Sequence, residues 1–329
     1  MRRNMKWAGC ATVAVALLGG CGGGGGPPGV ENYISPVLLI GGAVDRPSAV
    51  SLATLAAKPE VTQTVTFDSG TTPQTHTYIG ASLWSLLGDA GIQADASRKN
   101  DLLSRYVLAT GTDGDQVVFT VGELSPDFGN KASLVAYRET SYGFQGPLGA
   151  GQGPVRATAP GDVKDGRYVS KLTGLEVFAS PATTPGVGGG VSPSFKVSGA
   201  VTAPVTFDLA ALQALPRISQ AIGTSTYTGV SLWTLLNVVG LRQSASASNP
   251  TLSMYVVATG SDGYRAAVSL GEIDPDFGAK GALIAYEVDG SGLRASGMAR
   301  LIVPGEVKQG RSVSNLTAIE VFVARSGGS

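Results

Sequence analysis

Tyr78-Ile79-Gly80-Ala81-Ser82-Leu83-Trp84 returns as Tyr227-Thr228-Gly229-Val230-Ser231-Leu232-Trp233, 149 residues further on. Pro126-Asp127-Phe128-Gly129 returns as Pro275-Asp276-Phe277-Gly278 at the same spacing. Downstream, Pro160-Gly161-Asp162-Val163-Lys164 pairs with Pro304-Gly305-Glu306-Val307-Lys308 at a spacing of 144, so the second copy is five residues shorter by that point. Upstream, Leu52 and Pro59 fall on Leu209 and Pro216 at 157. A period this long is a domain rather than a solenoid unit. The spacing therefore predicts two tandem domains, 35–179 and 194–325, with Ser180 to Pro193, rich in proline, glycine and small polar residues, as the linker.

Each copy carries the same local signals. A short strand is expected near Leu38 to Val44 and Phe195 to Val201, then a helix over Leu52 to Ala57 and Leu209 to Leu215, stopped by Pro59 and Pro216. Ser82 and Ser231 are placed to cap apolar helices, Leu83 to Ala90 and Leu232 to Val239, which Gly91 and Gly240 end. Gly-Thr-Asp-Gly and Gly-Ser-Asp-Gly, flanked by Tyr106 to Thr110 and Gln116 to Val121 and by their repeats, read as hairpin turns, with Asp113 and Asp262 as turn formers. Buried strands are expected at Ala132 to Tyr137 and Gly281 to Tyr286, and closing strands at Leu175 to Phe178 and Ile319 to Val323. Strands outnumber short helices, so the fold class is α+β, two tandem mixed, strand-rich domains.

The N-terminus reads as an export leader, residues 1–20. Arg2, Arg3 and Lys6 precede an apolar run from Trp7 to Leu18, shorter than the roughly 20 residues that span a bilayer. Leu18-Gly19-Gly20-Cys21 resembles the bacterial lipobox, which implies acylation of Cys21, a lipid bilayer as partner, and a bacterial cell envelope location. Gly22 in place of an aspartate after the cysteine points to the outer membrane, facing the periplasm. Residues 21–34, opening with Gly22 to Gly26 and Pro27-Pro28-Gly29, suit a tether.

Cys10 and Cys21 are the only cysteines of the chain. With one cleaved off and the other acylated, the folded part would hold no thiol, hence no disulfide, thiolate metal site or cysteine nucleophile. Loss of the leader removes three of the 24 basic residues and none of the 24 acidic ones, leaving a net charge of −3. That balance argues against nucleic acid as a partner.

Tyr227 to Leu236, then Ala258-Thr259-Gly260-Ser261-Asp262-Gly263-Tyr264, Leu283 to Glu287, Arg300-Leu301-Ile302-Val303-Pro304-Gly305 and a terminal Leu316-x-x-Ile319-Glu320-Val321 together resemble the molybdopterin-binding domain of the sulfite oxidase family. Phe207 to Pro216 resembles that family's first helix. The resemblance extends over nearly all of both copies and is stronger in the second. It implies a mixed α+β fold and a molybdenum cofactor used for oxygen-atom transfer or reductive chemistry. It also implies one cysteine ligand in a Cys-x-Gly-Asn context before the Tyr-x-Gly helix. The corresponding stretches, Glu60 to Thr77 and Arg217 to Thr226, contain no cysteine. Ser225 and Thr226 offer only neutral hydroxyls, poor substitutes for a thiolate.

The family's phosphate-holding basic loop corresponds to Arg156, Lys164 and Arg167 in the first copy and Arg300, Lys308 and Arg311 in the second. A guanidinium fork beside an ammonium suits an anion, whether molybdopterin or another anionic ligand. The competing role is a structural one, tying loops to carbonyls or to Glu123 and Glu272. Glu272, Asp274 and Asp276 could ligate calcium, but lack the spacing of a calcium loop and read first as turn carboxylates. His76, with Ser225 as its counterpart, reads as a surface residue without a partner to orient it, and no nucleophile elbow is present. The functional expectation is a membrane-tethered binding or assembly component, meeting an anionic ligand or a protein partner. A molybdopterin-dependent oxidoreductase and a structural envelope protein are the alternatives.

Overall fold

The computed structural model describes residues 36–243 and 249–324. The leader, Cys21 and the tether lie outside the described residues. In the first half the chain forms β1 Pro36–Gly42, β2 Ser48–Ser51, α1 Leu52–Ala56, β3 Glu60–Ser69, β4 Thr72–Ser82, α2 Leu83–Ala90, β5 Arg105–Gly111, β6 Gln116–Thr120, α3 Val121–Leu124, β7 Leu134–Ser141, β8 Phe144–Pro147, β9 Arg156–Ala157 and β10 Leu172–Ala179. The second half repeats the order as β11 Phe195–Gly199, β12 Val205–Phe207, α4 Leu209–Gln213, β13 Arg217–Ile222, β14 Ser225–Ser231, α5 Leu232–Val239, β15 Met254–Gly260, β16 Arg265–Ser269, α6 Leu270–Ile273, β17 Leu283–Val288, β18 Ser291–Gly292, β19 Arg300–Ile302 and β20 Leu316–Val323.

Each half contains two sheets. One runs β2-β1-β10-β5-β6, repeated as β12-β11-β20-β15-β16. Its β1 and β10, like β11 and β20, are parallel neighbours, and the other pairs are antiparallel. The other sheet is built on β3-β4-β7 and on β13-β14-β17, with two short strands added to β7 and to β17. The stretch between the stopping proline and the Tyr-x-Gly motif thus folds as a hairpin, β3 with β4 and β13 with β14.

The Tyr-x-Gly-Ala/Val-Ser-Leu-Trp stretch joins the second sheet to the core. Gly80 and Gly229 lie at irregular points in the pairing with β7 and β17. A Cβ would stand 2.3 Å from the Val135 carbonyl oxygen at the first position and 2.1 Å from that of Ile284 at the second, so only glycine lets the strands approach there. Two residues later Ser82 and Ser231 accept the backbone N–H of Ser85 and Thr234, capping the helices that follow. Leu83, Leu86, Leu87 and Ala90 are buried, the spacing of one helical face, and Leu232, Leu235, Leu236 and Val239 repeat it.

Each half has its own apolar core, and a third cluster joins the two. Tyr106, Leu108 and Val118 from β5 and β6 meet Tyr255, Val257 and Ala267 from β15 and β16, with the two tyrosine ring centroids 4.4 Å apart. Ser180 to Pro193 lies along the second half rather than hanging free. The N–H groups of Val187 and Gly189 donate to the Ser261 carbonyl at 2.7 and 3.0 Å, and those of Thr183 and Thr184 face the Glu320 carboxylate.

Two short helices were not foreseen from the sequence. α3 and α6, four residues each, follow the hairpins directly and carry Glu123 and Glu272. Thr120 and Ser269 cap them.

Candidate functional site

The Pro-Gly-x-Val-Lys loops that carry the expected basic residues do not face solvent together; each meets the Pro-Asp-Phe-Gly loop of the other half. The Val163 N–H donates to the Phe277 carbonyl at 2.8 Å, and the Val307 N–H to that of Phe128 at 2.9 Å. Lys164 pairs with Asp276 at 2.6 Å and Lys308 with Asp127 at 2.5 Å. The rings of Phe277 and Phe128 lie over Gly166 and Gly310. Both lysines therefore bridge the halves in a near-symmetric exchange.

Arg167 and Arg311 are fully buried. Arg167 donates through Nε and Nη2 to both oxygens of Asp162, at 2.6 and 2.9 Å, and through Nη1 to Glu123 at 2.7 Å. Arg311 donates to both oxygens of Glu272, at 2.7 Å each, and of Glu306, at 2.9 and 2.6 Å. Lys131 and Lys280 complete the clusters on Asp162 and Glu306. Four cations thus face four carboxylates, and every charge has a partner. Each arginine stem also crosses a glycine of the opposite half: a Cβ on Gly271 would lie 2.6 Å from Arg167 Cδ, and one on Gly122 would lie 2.5 Å from Arg311 Cδ.

The Glu272 carboxyl shows what holds this centre. Burial works to raise its pKa, but the Arg311 guanidinium and its hydrogen bonds, with Lys280 behind them, hold it at about 2 instead of 4.5. A depressed carboxylate contributes stability that is present above its unfolded value and lost as pH falls through the folded one. Stability is therefore expected to drop between about pH 4.5 and 2. In urea titrations across that window Glu272→Gln, weaker at neutral pH, should show the shallower pH dependence; an unchanged slope would rule out this assignment. The other acids of the possible calcium group point elsewhere. Asp274 accepts from Thr251 Oγ1 and from the Asp276 N–H, and Asp276 takes Lys164, so the three do not converge on one point.

Arg156 and Arg300 differ from the other four candidates in having no carboxylate within salt-bridge distance among the described residues. Each begins a short strand beside β7 or β17 and reaches the tyrosine of the Tyr-x-Gly motif. Arg156 Nη1 donates to Tyr78 Oη at 2.8 Å, while Arg300 Nη1 stands 3.5 Å from Tyr227 Oη. Arg156 is 6% exposed, and its guanidinium carbon lies 5.2, 5.7 and 5.9 Å from the ring centroids of Tyr168, Tyr78 and Phe67. Its Nε and the Tyr168 hydroxyl are buried without a partner. Ring faces stabilise the desolvated guanidinium, while its Nε remains a donor without an acceptor. Burial also pushes the Tyr78 phenol up to about 12, so it stays protonated and donates to Gln152 Oε1 at 3.0 Å.

The expectation for His76 is corrected. Its ring stacks between Phe67 and Tyr78, centroids 5.3 and 5.4 Å away, with Nδ1 2.5 Å from Glu139 Oε1 and Nε2 3.0 Å from Gln74 Oε1. Its partner lies 63 residues away and is brought in by the β4–β7 pairing. Only the two-residue interval between His76 and Tyr78, which puts both side chains on one face of a strand, hinted at the stack. The repeat positions are Ser225 for His76, Val288 for Glu139 and Ser312 for Tyr168, so the cage belongs to the first half alone.

The strand pair, capped helix and Arg-Tyr contact are present in both halves. Residues 217–328 match the family model of the oxidoreductase molybdopterin binding domain. The recognised relationship therefore rests on the second half, and the first shares its strand order and its Arg-Tyr contact. Among solved structures, the sulfane dehydrogenase SoxCD from Paracoccus pantotrophus aligns over 88% of this chain and 78% of its own, at 13% identity and a TM-score of 0.35. No curated protein matches.

The cysteine-held molybdenum of the oxidoreductase domain does not fit the residues present. Where the ligand loop would lie, β3 and β4 are joined by the two-residue turn Gly70-Thr71, and β13 and β14 by Gly223-Thr224. Neither hairpin contains a thiol.

Proposed function

We propose that this chain is a non-catalytic binding or assembly component built from two tandem molybdopterin-domain-like modules. One observation carries the reading: four of the six basic side chains expected to meet a cofactor instead bind carboxylates of this protein, two of them fully buried. The duplicated scaffold spends its basic loops on holding its halves together. What remains for a ligand is the guanidinium of Arg156 in its aromatic cage, with Arg300 as a more open counterpart. An anionic group, from a small ligand or a protein partner, suits it.

The lipobox-like Leu18-Gly19-Gly20-Cys21 supports a lipid-anchored location in the bacterial envelope, at the outer membrane and facing the periplasm. A second reading, a molybdopterin-dependent oxidoreductase, is favoured by the family match of residues 217–328. Metal analysis of the purified chain, with pterin fluorescence after oxidation, separates the two. Substoichiometric molybdenum and no pterin are expected, and one molybdenum with one pterin per chain would establish the second reading. Fractionation tests the anchor: Cys21→Ser should move the chain from the membrane pellet to the soluble fraction.

A further inference from the structure

A second cationic site lies away from the loops discussed above, where the two halves and the connecting segment meet. An open cleft of about 530 Å³ is bounded by Ser97 to Lys99 of the first half, the β15–β16 turn at Asp262 to Arg265, and the connector at Thr183 to Gly186. Arg98 and Lys99 enter it from one wall and Arg265 from another. We propose that this cleft binds a small polyanion, whose carboxylate or phosphate oxygens bridge Arg98 and Lys99 on one side and Arg265 on the other.

Two acids, Asp101 and Asp262, also line the cleft, and each already accepts hydrogen bonds from the protein. Asp101 takes both Nε and Nη2 of Arg105, at 3.1 and 2.6 Å. Asp262 accepts the Tyr264 N–H of its own turn at 3.0 Å, and Glu320 faces the N–H groups of Thr183 and Thr184. Asp95 accepts from Ser97 and reaches Arg98 at 3.5 Å, both side chains about half exposed. Arg265 donates Nη2 to the Thr184 carbonyl at 2.7 Å, which fixes its guanidinium against the connector, while its Nε is buried without a partner. No carboxylate lies within 4 Å of Arg265 or Lys99 among the described residues. Burial, and then the charge of Arg98, push the Arg265 guanidinium down, against a weaker opposing pull from Glu320 and Asp101.

The duplication supplies an internal comparison. At the repeat spacing of 149, Arg98, Lys99 and Arg265 correspond to Ala247, Ser248 and Gln116. All three positions are cationic where their repeats are neutral, in two stretches that belong to different halves. Tyr264 and Pro185 add an apolar wall, and the volume suits a compact ligand rather than a macromolecule.

Isothermal titration of the Cys21→Ser chain with inorganic phosphate and with citrate, at low ionic strength, tests the site. Saturable binding of either is expected; phosphate alone indicates a phosphorylated ligand and citrate alone a polycarboxylate. Arg265→Gln, which installs the residue type of the first half, and Lys99→Gln, whose side chain makes no hydrogen bond among the described residues, should each weaken binding about 10-fold or more. Lys196→Gln, at an exposed lysine of β11 that does not line the cleft, should leave it unchanged. Absence of binding by both anions, or equal binding by the parent, Arg265→Gln and Lys99→Gln chains, would overturn the proposal.

Discussion

Replacing Arg167 with methionine is expected to lower the unfolding free energy by about 3–5 kcal/mol, because it leaves two buried carboxylates, Asp162 and Glu123, without their guanidinium. Lys131 remains 2.6 Å from Asp162 but 3.9 Å from Glu123, and supplies no planar fork to replace the lost one. Arg167→Lys should recover only part of the loss, since an ammonium cannot bind both acids with the same geometry. Urea unfolding gives the measurement. Because the arginine stem lies on Gly271 of the second half, Trp84 and Trp233, one in each half, should report a single common transition. A loss under about 1 kcal/mol, or separate transitions for the two tryptophans, would show that the buried centre does not couple the halves.

The second large effect is expected at the ring-on-glycine contacts. Gly310→Ala places a methyl 2.2 Å from Phe128 Cε1, and Gly166→Ala places one 2.3 Å from Phe277 Cε1. Neither position has the positive φ that would penalise alanine by itself. Overpacking typically costs about 1–3 kcal/mol, and here it falls on the contact that joins each Pro-Gly loop to the other half. Gly174→Ala, where an added methyl meets nothing within 4 Å, is the matched control and should change stability little. If Gly310→Ala melts with the control in a thermal scan, the Phe128 ring has somewhere else to go and the lock is not rigid.

The local elements were legible because their causes are local. A serine cap, apolar residues on one helical face and a following glycine define α2 and α5, whose bounds coincide with those read from the sequence. The Gly-Thr-Asp-Gly turn behaves as expected, with Asp113 accepting the Asp115 N–H. α3 and α6 escaped notice because a four-residue helix has too few turns to show a period. One sequence signal lay open: Pro185-Gly186-Val187 and Ser192-Pro193 repeat Pro28-Gly29-Val30 and Ser35-Pro36 at 157. The repeat thus begins before residue 35, inside the stretch assigned to the tether.

The candidate site divides along the same line. A sequence can place Arg156 and Arg167 in one loop but cannot tell which will find a carboxylate. Arg167 meets Glu123 across 44 residues, whereas Arg156 meets only a tyrosine across 78. His76 acquires its carboxylate through strand pairing across 63 residues.

By itself the sequence determined that a strand-rich module was duplicated, that it resembles the molybdopterin-binding domain, and that its folded part lacks a thiol. Those conclusions need only residue identity and spacing. Tertiary structure decided that the two copies form one body, that most of the shared basic residues are spent within it, and that Arg156, Arg300, Lys99 and Arg265 are among the cations without a carboxylate partner. The reason is electrostatic: a charge is available to a ligand only if no opposite charge has been folded against it, and those distances are set by packing between segments far apart in the chain.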